Sequence, residues 1–89
     1  MTNIDICDAV YSEFYRATDL HAPFNSAHEG YAVLLEEVDE LWAEVMKNPH
    51  KGCLTPADKA EGSEKRMTAM RTEAIQVAAM AMRFLKDVC

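Results

Sequence analysis

Five acidic side chains, Glu36, Glu37, Asp39, Glu40 and Glu44, fall within the stretch LLEEVDELWAEV, and no lysine or arginine lies among them. If the stretch is helical, Glu36 with Glu40 and Glu40 with Glu44 are like-charge pairs four apart, each costing about 0.2–0.5 kcal/mol. A helix advances by about 100° per residue, so with Glu36 at zero, Glu40 projects near ~40°, Glu44 near ~80° and Glu37 near ~100°. The acids therefore form one stripe. Glu37 and Glu40 lie on adjacent turns, where both carboxylates can reach one hard cation of the Mg²⁺ or Mn²⁺ type. Such an ion would remove the repulsion. A solvated acidic face on an amphipathic helix is the other reading of the same residues.

A second anomaly stands further along, in MRTEAIQVAAMAMRFLKDV. With Glu73 at zero, Val77 projects near ~40°, Phe84 near ~20°, Met80 near ~340° and Met70 near ~60°. Glu73 thus sits inside an apolar stripe, where a carboxylate rarely belongs unless it is paired or binds a metal. Arg66, seven residues earlier, is the local partner that would make it an ordinary buried ion pair. An unneutralised acidic stripe on the preceding helix offers the alternative, in which both anomalies are halves of one site. Gln76 falls at the edge of the same apolar face, and its carbonyl oxygen can ligate a hard cation more weakly than a carboxylate does.

Both halves must be carried by helices. Thr2 or Asn3 can cap a first helix running to about Leu20, with Ile4, Val10, Tyr11, Phe14 and Tyr15 as core positions. HAPFNS then breaks the pattern, since Pro23 disfavours helix in the residue before it. Ser26 with Glu29 three residues on has the capping-box pattern, opening a second helix that runs to about Lys47 with Tyr31, Leu34, Leu35, Val38, Leu41, Trp42, Val45 and Met46 on its apolar arc. NPHKG reads as a loop. Thr55-Pro56 with Asp58 is a further start signal, Gly62 interrupts the helical pattern between Thr55 and Glu64, and a helix runs from Ser63 to about Val88. The expected architecture is all-α: a single domain over 1–89, a small bundle of three main helices.

Bulk composition agrees. The chain has 89 residues, 49% hydrophobic and 27% charged, with a formal net charge of −6. A core of this size is marginal, and oligomerisation is a common remedy. The negative charge argues against a general nucleic-acid binder, which needs clustered Lys and Arg, but not against a small phosphorylated ligand held through a cation. Cys7, Cys53 and Cys89 are too scattered for a disulfide framework or a zinc site. MTNIDICDAV has no basic n-region, and no apolar run approaches the roughly 18–20 residues of a membrane span. A cytoplasmic protein with reduced thiols, acting away from membranes, is expected.

With EEVDE, Glu36 to Glu40, followed by EAIQ, Glu73 to Gln76, the chain resembles the all-α nucleoside triphosphate pyrophosphohydrolases of the MazG-like superfamily, whose signature is EExxE on one helix and ExxD on the next. The apolar tail VAAMAMRFL is also similar, and the likeness extends from Phe14 to Val88. Gln76 stands where the family usually has a ligand Asp, and the spacer from Glu40 to Glu73 is long for the motif. EGSE, Glu61 to Glu64, is an alternative second half with a shorter spacer, disfavoured by Gly62 and by the lack of an apolar tail. The resemblance implies that Glu37, Glu40 and Glu73 bind Mg²⁺ with Gln76 as a weakened fourth ligand. It also implies that Glu36 is an additional ligand or the group that deprotonates the attacking water. The implied reaction converts a (d)NTP to a (d)NMP and pyrophosphate, in a homodimer or homotetramer whose subunits complete the bundle.

Contacts to base and sugar are sought among Phe24, Asn25, His28 and Trp42, and contacts to phosphate among Lys47, Lys51, Arg66 and Arg71, although Trp42 points with Leu35 and Val38 and so suits core packing as well. Two other classes fit the same residues: a non-catalytic relative that keeps the fold, which Gln76 favours, and an unrelated acidic interaction module in which Glu73 has a local salt bridge.

Overall fold

The computed structural model describes residues 1–47 and 55–89, and within them the chain is all-α with no strand. Helix α1 spans Asn3–Leu20, α2 Ala27–Met46 and α3 Pro56–Asp87. Each start is set by a hydroxyl cap. Thr2 accepts from the Asp5 amide at 3.1 Å while Asp5 accepts from the Thr2 amide, and Thr55 with Asp58 repeats the arrangement behind Pro56. Ser26 accepts from the Glu29 amide, but Glu29 turns to Asn25 instead of closing the box on Ser26. The expected loop NPHKG, with His50 and Lys51, lies outside the described residues, as does Cys53.

Gly62 does not interrupt α3, which continues through it as one helix. A single glycine costs a helix interior only about 1 kcal/mol, and a capped, 32-residue helix absorbs that. At about 1.5 Å per residue such a helix is ~48 Å long, matching the 49 Å long axis of the molecule.

Helix α3 is the spine: α1 and α2 each pack on it, and not on each other. The core lies where all three converge, around Phe14 and Ala17 of α1, Phe24 of the connection, and Ala79 and Met80 of α3. Val33, Leu34, Met82, Phe84 and Val88 pack around it. Gly30 is buried at the crossing of α2 and α3, and a Cβ there would stand 2.7 Å from the Phe84 ring. Only glycine permits that approach. Polar clamps hold the end of α2 and the connection before it: Arg66 donates to the Val45 carbonyl at 2.7 Å, Arg83 donates to the Ala22 carbonyl at 2.9 Å, and Asp87 accepts from the Phe24 amide at 3.1 Å.

Several expected core positions are solvent-facing in the single chain. On α1, Ile4, Tyr11 and Tyr15 are exposed, and only Phe14 of the expected set is buried. On α2 the buried or half-buried residues are Gly30, Val33, Leu34, Glu37, Leu41, Glu44 and Val45, projecting over about 60–180° with Glu36 at zero. Tyr31, Leu35, Val38, Trp42 and Met46 project over about 200–280° and stay exposed, Trp42 at 57%. One neighbouring helix covers one stripe. The apolar arc of α2 is wider than α3 can bury.

Candidate functional site

The acidic stripe is rotated toward α3 rather than lying beside the packed face. Glu37 and Glu44 are half-buried in the helix–helix interface, Glu36 and Asp39 point to solvent, and Glu40 is exposed but reaches inward. On α3, Glu73 is half-buried opposite them. Carboxylate oxygens of Glu37, Glu40 and Glu73 all lie within 4.8 Å of one another. Opposite ligands around a Mg²⁺ sit about 4.2 Å apart, so small side-chain rotations would close the ring on such an ion.

Electrostatics identifies Glu37 and Glu73 as unusual. Burial, then the charge and hydrogen bonding of Glu40, then Glu73 and Glu36, push the Glu37 carboxyl up to about 7. Burial likewise raises Glu73, helped by Glu40 and Glu44 and opposed by Lys47. Carboxylates whose charged form is disfavoured for want of a positive partner are the groups a cation would relieve. Arg66 is not that partner: its guanidinium donates to the Val45 carbonyl and makes no ion pair with Glu73. Gln76 lies among them. With its amide nitrogen toward the cluster it donates to Glu37 and Glu73, at 3.0 Å each. Three oxygen donors of high charge density and little else suit a hard divalent ion.

Glu37 and Gln76 also line a cleft of about 360 Å³ in the gap between α1 and α2. Gln76, Met80 and Arg83, at successive turns of α3, face it, with Arg16 on the α1 side and Phe24 at the connection. Arg83 is only 4% exposed, and its guanidinium lies 4.5 Å from the Phe24 ring centroid. Arg16 is held by Glu13 on the same wall, Nε to Oε2 at 2.8 Å. One end of the cleft is therefore acidic and the other carries an arginine on an aromatic ring, two helical turns away.

Among the expected site residues, Glu37, Glu40, Glu73 and Gln76 come together, and Glu36 stands outside the ring, facing solvent next to Glu37. Of the residues expected to hold base and sugar, Phe24 lines the cleft and the others do not. Asn25 donates to Glu29 as a helix-start contact, His28 lies beside Tyr31 and Phe84 on another surface, and Trp42 belongs to the exposed apolar stripe. Lys47 pairs with Glu44 at 2.7 Å, close enough for its charge to act on Glu73. Arg83 and Arg16 are absent from the residues that the sequence singles out. For Arg83 a signal existed, since it projects within about 20° of Gln76 on α3. Compared with known proteins, the chain matches no family model, no curated protein and no solved structure.

Proposed function

We propose that the protein is a Mg²⁺-dependent nucleoside triphosphate pyrophosphohydrolase, related to the MazG-like superfamily and producing a nucleoside monophosphate and pyrophosphate. The observation that carries the proposal is the convergence of Glu37, Glu40 and Glu73 from two helices at the acidic end of a nucleotide-sized cleft. The three carboxylates hold the cation (Mn²⁺ would also fit), which when bound neutralises phosphate oxygens and lowers the pKa of bound water. Glu36, solvent-facing beside them, takes the proton from the water that attacks between the α- and β-phosphates. With the triphosphate at Glu37 and Gln76, the sugar and base extend along α3 toward Arg83 and Phe24. The clefted monomer is completed by a second copy: Tyr31, Leu35, Val38, Trp42 and Met46 form an apolar stripe along α2, of the kind that marks an interface. No helix among the described residues is long and apolar enough to cross a membrane, and we assign the enzyme to the cytoplasm.

Gln76 favours a second reading, a non-catalytic relative, because a neutral donor stands where a fourth carboxylate would bind the ion. Pyrophosphate release from a panel of ordinary and modified nucleoside triphosphates, with Mg²⁺, with Mn²⁺ and with chelator, separates the two. Metal-dependent release, lost in Glu40→Gln, is the expected result. No release from a folded, oligomeric protein would favour the non-catalytic relative.

A further inference from the structure

Gln76 has a chemistry that an aspartate in its place would lack. An ionised carboxylate accepts hydrogen bonds only, whereas a primary amide has two N–H groups to give. With Glu37 and Glu73 ionised, one orientation of the Gln76 amide leaves its oxygen facing only acceptors and its nitrogen only donors, and the other satisfies both ends. In the satisfied orientation the nitrogen lies 3.0 Å from Glu37 Oε2 and 3.0 Å from Glu73 Oε2. Glu73 is one turn away on the same helix, but Glu37 belongs to α2, so the amide joins the two helices at the carboxylate ring.

Resting on the proposed metal site, we infer that Gln76 is a positioning residue and not a ligand: its amide cross-links Glu37 to Glu73 and holds the carboxylate ring assembled before a cation enters. Carboxylates that bind metals are commonly oriented by hydrogen bonds of this kind, and losing such a partner typically costs 10–100-fold in metal affinity. The neutral amide also spares the ring a fourth negative charge. The site therefore needs no cation to bring α2 and α3 together.

Gln76 is the sole glutamine in the chain, so its side-chain amide resonances are directly identifiable in a ¹H–¹⁵N spectrum of the full protein, with Gln76→Met as the assignment control. The expected result is a pair of shifted amide signals protected from solvent exchange in chelator, and still protected at saturating Mg²⁺. Gln76→Glu, which keeps the shape but not the donors, should melt at a lower temperature in chelator and gain more from Mg²⁺ than the wild type does. Freely exchanging amide signals in chelator, with an unchanged Tm for Gln76→Glu, would overturn the cross-link. Loss of protection on adding Mg²⁺ would overturn the positioning role, because the oxygen would then have turned onto the ion. If the amide is protected but Mg²⁺ changes neither spectrum nor Tm, the cross-link stands and the metal site falls.

Discussion

EGSE at Glu61–Glu64 and EAIQ at Glu73–Gln76 present polar side chains at the same spacing on the same helix, about 18 Å apart. Their first glutamates behave oppositely. Glu61 is exposed and paired with Lys65 at 2.8 Å, and the lysine's hydrogen bond holds its carboxyl below the usual range. Glu73 is half-buried against the acids of α2, and burial pushes its carboxyl up. Spacing is common to both, so spacing does not make the site. What faces the helix does: a lysine one turn on at Glu61, three carboxylates of α2 at Glu73.

Substitution at the two positions should widen the contrast. If the proposed activity is right, Glu73→Gln or Glu40→Gln removes a ligand whose electrostatic contribution is several kcal/mol, lowering pyrophosphate release by about 100-fold or more. Glu61→Gln should leave the rate unchanged. Equal losses at 61 and 73 would erase the distinction.

The two halves of α3 should differ in stability as well. Met80, 6% exposed in the core, is expected to cost about 2–5 kcal/mol on truncation to alanine, which for a domain of this size lowers Tm by roughly 8 °C or more. Met67, 58% exposed in the solvated half, should stay within about 0.5 kcal/mol. Thermal melts of the two variants decide it.

Acid titration gives a subtler test, because the shifts have opposite signs. Glu37 titrates near about 7 in the folded chain against 4.5 for the ordinary group, so between those values the folded chain binds more protons than the unfolded one. Its contribution to stability is full below 4.5 and is lost as pH rises toward 7. Glu73 acts in the same direction, and Glu61, shifted downward, in the opposite one. Melts in chelator from pH 4.5 to 7 should show a decline that Glu37→Gln flattens and Glu61→Gln does not. The smallest expected effect on the fold is at Trp42. Trp42→Glu, on the exposed stripe of α2, should leave secondary structure intact by circular dichroism and reduce the particle mass in light scattering.

The three helices are legible in the sequence because their starts are written in local chemistry: Thr2, one of the two residues expected to cap α1, Ser26, and Thr55-Pro56 with Asp58 all cap. The ring of Glu37, Glu40 and Glu73 is legible for a different reason, since each is an anomaly on its own helix and the anomalies match. Burial is less so. A helical projection shows that α2 is apolar over a broad arc but not which part α3 covers, so Trp42 and Leu35 give no sign of being left outside. The cleft is illegible because α1 and α2 each pack along α3 and leave a gap between them, which nothing in either helix reports. The carbonyl of Gln76 suggests a ligand, and its donors become relevant only once Glu37 is placed across from it.

Titration of Mn²⁺ into the protein, followed by electron paramagnetic resonance, tests the central claim most directly. Wild-type and Glu61→Gln protein should each take up one ion per chain, and Glu73→Gln should lose that uptake. Binding that survives Glu73→Gln, or no binding by the wild type, would contradict a cation site built by α2 and α3 together.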